Sequence, residues 1–216
     1  MDAVSEKKLG GLARYEPVVV DDIWDEFPSW LAADDPHANE ALDALVAGLS
    51  LEPTAGGRDR LLAHLRPEGR FERFASTVGT LLDLPVEDAR ALLDRLHDPA
   101  VWVSGPVDGP WLTWWVEGGA RTERAIRGFL RIKPGTDFPR HAHLGDESVF
   151  VLQGSFVDSE GVLVEAGTLA RMPAGSDHDF RVTEGGPDLL ILTVAQEGIH
   201  MVGGPVIRFD GSVSES

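Results

Sequence analysis

The chain has 216 residues, 43% of them hydrophobic and 25% charged, an ordinary globular balance that leaves room for a sizeable core and one to two domains. Asp and Glu outnumber Lys and Arg 36 to 19, and the net charge of −17 would repel a phosphate backbone, so no nucleic-acid partner is expected. No run approaches the roughly 18 apolar residues of a membrane span, the first residues lack a signal peptide's basic and apolar regions, and the expectation is a cytoplasmic protein with no membrane contact.

Residues 1–33 read as an acidic leader. Pro17 to Val20 has the composition of a short strand, and Trp24, Phe27 and Trp30 are large enough to cover the rest of the molecule. Helical periodicity begins at Pro36, with Asp35 placed to cap and Ala38, Leu42, Leu45, Val46 and Leu49 at spacings of three and four. A Pro and Gly break at 52–57 precedes further helices at about Arg58 to Leu65, Phe71 to Leu82 and Val86 to Leu96. Residues 34–98 are therefore expected to form a small helical bundle, able to contact a protein partner through its surface. The last two helices have a helix-turn-helix outline, but Glu87, Asp88 and Asp94 suit a major groove poorly. His37 and His64 have no neighbouring ligand residue and read as surface histidines.

After Pro99 the period changes to that of strands. Segments at 101–104, 111–116, 125–132, 147–153, 161–164, 169–172, 179–183 and 189–194 are rich in β-branched and aromatic residues and are divided by Gly, Pro and Asp turns. About eight such strands predict a double-sheet jelly roll over residues 99–209, mainly β and preceded by the helical region. Residues 205–209 are one more candidate strand, and 210–216 read as a loose tail. Jelly-roll edges often pair, so a homodimer is expected.

The densest chemistry lies between Gly135 and Val182. In an extended strand His141 and His143 point the same way, about 7 Å apart, so two imidazoles can share one ion. Glu147 opens an apolar strand, on the face of Val149 and Val151, where a carboxylate needs neutralising. His178, after the turn Pro173-Ala174-Gly175, supplies a third nitrogen. Three imidazoles and one carboxylate suit a single divalent transition ion, zinc first, then iron, manganese, nickel or copper, with open positions for water or a small ligand. With no Cys in the chain, a thiolate site and disulfides are excluded. Alternation from the ligand-bearing face gives Phe129, Arg131, Val149, Val151, Met172 and Phe180 as the expected pocket wall, and Arg131 and Arg140 as candidate clamps for an anionic substrate.

The segment resembles the cupin superfamily. Gly135, five residues, His141-Ala142-His143, three residues, Glu147, six residues and Gly154 follow its first motif, and Gly167, five residues, Pro173-Ala174-Gly175, two residues and His178 its second. Val182 stands where that motif usually closes with Asn. The phrases HLGDESVFVLQGSF and MPAGSDHDF, behind a helical segment, are similar to anti-sigma factors of the ChrR type. That resemblance implies a zinc-binding sensory cupin, carried over at His141, His143, Glu147 and His178. The family's helical anti-sigma domain holds zinc with His and two Cys, and this chain has no Cys. Two classes of function follow: a metal-binding sensor or regulatory module whose helices contact another protein, and a cupin metalloenzyme of the dioxygenase or isomerase kind acting on a small molecule.

Overall fold

The computed structural model describes residues 13–18 and 69–215. Within them two helices, α1 (Ala75–Leu82) and α2 (Val86–Asp94), precede most of the strands. One antiparallel sheet is built from β1 (Arg14–Pro17), β2 (Val103–Ser104), β3 (Trp111–Trp115), β4 (Ala125–Ile132), β6 (Glu147–Gln153), β9 (Thr168–Met172) and β11 (Leu189–Gln196), in the order β1-β9-β6-β11-β4-β3-β2. The second holds β5 (Asp137–His143), β7 (Ser155–Asp158), β8 (Leu163–Glu165), β10 (Asp177–Val182), β12 (Gly198–Met201), β13 (Val206–Arg208) and β14 (Val213–Ser214), in the order β14-β13-β12-β5-β10-β7-β8. The two sheets face each other as a jelly roll. The helices cover the outer face of the first sheet, giving three layers.

That layering explains why the central strands carry no clean alternation. β11, LLILTVAQ, is buried at seven consecutive positions because one face packs on the helices and the other on the second sheet. On the helix side, Phe74, Val78, Leu82, Leu93 and Leu96 join Phe129, Phe150, Leu192 and Val194 in one core. Phe74 meets the edge of Phe150 with ring centroids 5.1 Å apart. Between the sheets lie Leu130, Ile132, Val149, Val151, Phe156, Phe180 and Ile191.

Helix α1 ends at Asp83, whose φ of 58° places it in the left-handed region favoured at helix ends. The loop before β4 closes over this end. Gly119 N–H donates to the Leu82 carbonyl at 2.8 Å, and the Asp83 carboxylate accepts from Arg121 N–H at 3.0 Å and Arg121 Nε at 2.7 Å. A side chain at Gly119 would stand 2.1 Å from the Asp83 carbonyl oxygen, so this contact requires glycine.

Several expectations change in detail. An N-terminal strand occupies Arg14–Pro17 and adds to β9 as an edge strand; of the anticipated Pro17 to Val20, residues 19 and 20 fall outside the described residues. The anticipated tail contributes β14, which pairs with β13 at Val206 and Ser214. Trp24, Phe27, Trp30, His37, His64 and the helices expected at 36–49 and 58–65 fall outside the described residues. The helices of 69–98 share a core with the sheet behind them instead of packing only on one another. Among the described residues no helix is long and apolar enough to cross a membrane.

Candidate metal centre

Three strands from two sheets bring the four ligand candidates together. His141 and His143 are two apart on β5 and both point inward. β10 pairs with β5 with His178 opposite His141. Glu147 reaches the same point from β6 in the facing sheet, because the short turn between β5 and β6 carries the chain from one sheet to the other. All four side chains are buried, and their candidate ligand atoms lie within 4.8 Å of one another. Glu147 Oε2 is 2.8 Å from His143 Nε2, 3.8 Å from His141 Nε2 and 4.0 Å from His178 Nε2, while His141 and His178 place their Nε2 atoms 3.1 Å apart.

Hydrogen bonds outside the cluster decide which nitrogens are free. His141 Nδ1 lies 3.0 Å from the Pro139 carbonyl, which can only accept, so Nδ1 carries the proton. Ser176 gives its hydroxyl proton to the Pro173 carbonyl at 2.6 Å and therefore accepts from His143 Nδ1–H at 2.9 Å. Both imidazoles are thus held with the Nε2 lone pair turned toward Glu147. Thr193 on β11 donates to Glu147 Oε1 at 2.7 Å, which leaves Oε2 as the inward oxygen. His143 Nε2 and Glu147 Oε2 have no hydrogen-bond partner despite their separation. Two lone pairs facing each other across 2.8 Å in a buried space repel unless a cation stands between them, and the donor set fits a divalent transition ion.

The electrostatics agree with that reading. Burial pushes the Glu147 carboxyl up, but the His141 and His143 imidazoles beside it outweigh burial and hold the group well below the usual carboxylate range. Burial, reinforced by the neighbouring His141, lowers His178 to about 4, so its imidazole is neutral and able to ligate at neutral pH.

A cavity of about 70 Å³ opens beside the cluster. Among the described residues, its ionisable wall groups are His141, Glu147 and His178 themselves. Trp111, Phe138, Phe180, Val149, Leu130 and Met201 make much of the remaining wall. Of the six side chains anticipated there, Val149 and Phe180 line it. Val151 and Met172 face between the sheets but are packed into the core away from the cavity. Phe129 and Arg131 lie on the opposite face of β4: Phe129 stacks on Trp114, and Arg131 spans the Trp102 ring and donates to the Leu96 carbonyl at 2.6 Å. The apolar run in AIRGFLRI hides its phase because both faces of β4 are covered. Arg140 is exposed and pairs with Asp177 at 2.8 Å and more distantly with Asp179, so neither arginine reaches over the histidine and glutamate cluster. Val182, at the position of the usual Asn, is buried between the sheets, and its backbone serves the Gly135 turn.

Ser176 and Thr193, the two hydroxyls that orient the ligands, were not anticipated. The signal for Thr193 was present, since it is the lone hydroxyl in the apolar run of β11. Ser176 was harder to read, because a serine beside Gly175 has the ordinary composition of a turn.

Two facing antiparallel sheets with three histidines and a glutamate converging between them define a cupin domain. Residues 102–196 match the family model of the ChrR Cupin-like domain, which this part of the chain resembles. No curated protein matches the chain significantly. Among solved structures, the chain is similar to one in the complex of Rhodobacter sphaeroides SigE with the anti-sigma ChrR, with 24% identity, a TM-score of 0.43 and coverage of 74% of this chain and 78% of that one. It is also similar to an RmlC-like cupin protein from Ralstonia eutropha, with 18% identity, a TM-score of 0.41 and coverage of 52% and 70%. The acetylacetone dioxygenase of Acinetobacter johnsonii follows at 15% identity, a TM-score of 0.42 and coverage of 55% and 80%. None of these likenesses assigns an activity to this chain.

Proposed function

We propose that the chain is a ChrR-like regulatory module in which His141, His143, Glu147 and His178 hold one divalent transition ion, zinc in the first instance, beside a cavity for a small ligand. One observation carries this reading: Nε2 of His141 and His143 and Oε2 of Glu147 are presented as unprotonated acceptors by bonds from outside the cluster. A bound ion supplies a positive charge and open coordination positions. The protein's part is to fix the ligands, through Pro139, Ser176 and Thr193, and to exclude water with an apolar wall. The helices on the outer face of the first sheet are the surface offered to a protein partner, as part of residues 34–98. A second copy would pair at a sheet edge, where β8 exposes Leu163.

Elemental analysis of untagged protein purified without chelator tests the reading. Near one equivalent of zinc, lost in His143→Ala and His178→Ala while both variants stay folded, is the expected result. No metal in the parent protein, or an unchanged content in both variants, overturns it.

A cupin metalloenzyme is the second reading, favoured by the position of the cavity directly on the ligand cluster. No acid or base other than the ligands lines it among the described residues, which points to chemistry at the ion rather than proton transfer by side chains. Iron or manganese in the purified protein, with oxygen-dependent turnover, would select this reading over the regulatory one.

A further inference from the structure

The register of the two sheets lays a path from the ligand cluster to a second hollow. Across β6, β11 and β4, Glu147, Ala195 and Ile126 stand in one row. In the facing sheet, across β5, β12 and β13, His143, Ile199 and Ile207 form the matching row. At the usual spacing of strands, each row carries the path about 10 Å sideways from the ligands. The floor of the path is low. Ala195 offers one methyl, and the next row runs from Thr193 to Gly128 to Trp115, with no side chain at Gly128.

At the far end the cavity meets a groove of about 430 Å³ between β2 to β4 and β13 to β14. Pro106, Trp115, Ile126 and Ile207 line both spaces and so form the partition between them. Trp115 is the largest exposed side chain of this partition. It is 42% exposed. Its indole lies against the backbone at Gly128, where a Cβ would come within 2.9 Å of the ring. The groove carries charge of both signs, from Arg127 and Arg208 and from Glu117 and Asp210, while among the described residues the inner chamber has none beyond the ligand residues.

We propose that the chamber binds a small, uncharged, predominantly apolar molecule with one oxygen turned toward His141, Glu147 and His178, and that it enters from this groove past Trp115. The chemistry of the wall sets the class. Away from the ligand cluster, a charged ligand would be stripped of water against Ile126, Ile199, Phe138 and Met201, with no opposite charge on that part of the wall to receive it. An aliphatic or aromatic body with a single hydroxyl, carbonyl or peroxide oxygen leaves nothing unpaired. The narrowness of the inner space, about 70 Å³ against roughly 300 Å³ for a drug-sized site, limits the body to a short chain or one ring. The proposal rests on the metal reading for the direction of the oxygen, but not for the apolar site or its entrance.

Straight-chain primary alcohols from 1-butanol to 1-octanol are the probes, titrated calorimetrically onto the full chain both zinc-loaded and metal-free. Affinity is expected to rise about fourfold for each methylene until the chamber is full, in both forms of the protein. Alkyl carboxylates of the same lengths should bind at least tenfold more weakly to the metal-free form. Ala195→Leu fills the floor and should abolish the chain-length dependence, with near-ultraviolet dichroism and thermal melting showing that it remains folded. Ala195→Val, a smaller change, should weaken the longer alcohols in proportion if the leucine variant does not fold. Trp115→Ala should speed association severalfold while changing the equilibrium affinity less than threefold. Affinity independent of chain length, or unaltered in both folded Ala195 variants, overturns the site, and an unchanged association rate in Trp115→Ala overturns the entrance. Alcohol binding by a protein that takes up no metal would sink the metal reading and leave this one standing; the reverse pattern would do the opposite.

Discussion

Thr193 on β11 donates a 2.7 Å hydrogen bond to Glu147 Oε1 on β6, and both side chains are buried. The carboxylate is thereby turned so that its other oxygen meets the three imidazoles. Thr193→Val keeps the shape and removes the donor. We expect metal affinity to fall 10- to 100-fold, the usual effect of losing a group that orients a ligand. Stability without metal should fall by about 1–3 kcal/mol, because a charged acceptor is left unpaired in the interior. Competition with a chromogenic chelator and denaturant melts of the metal-free protein measure the two effects.

Metal removal should be visible in stability as well. An ion bound only by the folded chain at a hundredfold excess over its Kd adds about 2.7 kcal/mol. At roughly 2–4 °C per kcal/mol for a chain of this size, zinc should raise the melting temperature by about 5–11 °C and a chelator should reverse the rise. His143→Ala should melt at the same temperature with and without zinc. A full zinc response in that variant would place the ion elsewhere.

Tyr15 makes the docking of β1 sensitive to alkali. Its hydroxyl donates to Asp158 on β7 of the other sheet, while the second Asp158 oxygen accepts from the backbone of Glu160 and Val162. Burial, then the bond to the Asp158 carboxylate, raises the phenol above its ordinary value near 10. A group whose pKa is raised by folding contributes stability that is complete below its unfolded value and is lost as pH climbs toward the folded one. The strand should therefore hold through neutral pH and loosen above about pH 10. Tyr15 is the single tyrosine of the chain, so phenolate absorbance reads it alone. Titration at the ordinary value would contradict the contact, and Tyr15→Phe should remove the alkaline step.

Arg131 was a candidate clamp in the sequence and is a strut in the structure. It lies 4.4 Å from the Trp102 ring centroid and bonds to the turn that follows α2 through the Leu96 carbonyl. Arg131→Met should cost about 1–3 kcal/mol through the lost bond and stacking, and should leave metal content and affinity unchanged. A fall in metal affinity with stability intact would reverse this assignment.

The cluster of His141, His143, Glu147 and His178 was legible because its chemistry is local and its spacing is fixed. His141 and His143 must share a face in any strand, and Glu147 is an improbable companion for the apolar side chains of β6 unless something neutralises it. The jelly roll was legible from the number and length of the β-rich segments. The pocket wall was not, since strands such as β4 and β11 are apolar on both faces and give no phase. Phase came from pairing across strands, which places Phe129 beside Leu192 on the helix side and Leu130 beside Ile191 inside. Pairing between distant segments also explains β1 and β14, whose sequences RYEP and VS become strands by adding to existing edges.

Strand β6 carries Glu147 and Val149 on the face toward the cavity and Phe150 on the face toward the helices, where its ring meets Phe74. The same few residues are thus wall to two compartments, and a close-packed strand cannot shift on one side without shifting on the other. Whatever energy a molecule in the inner compartment gains by preferring one position of β6 is the energy by which it alters binding at the helices. The factor is identical in the other direction. A partner that grips α1 and α2 would therefore set the threshold at which the chamber fills, and its departure would report the filling.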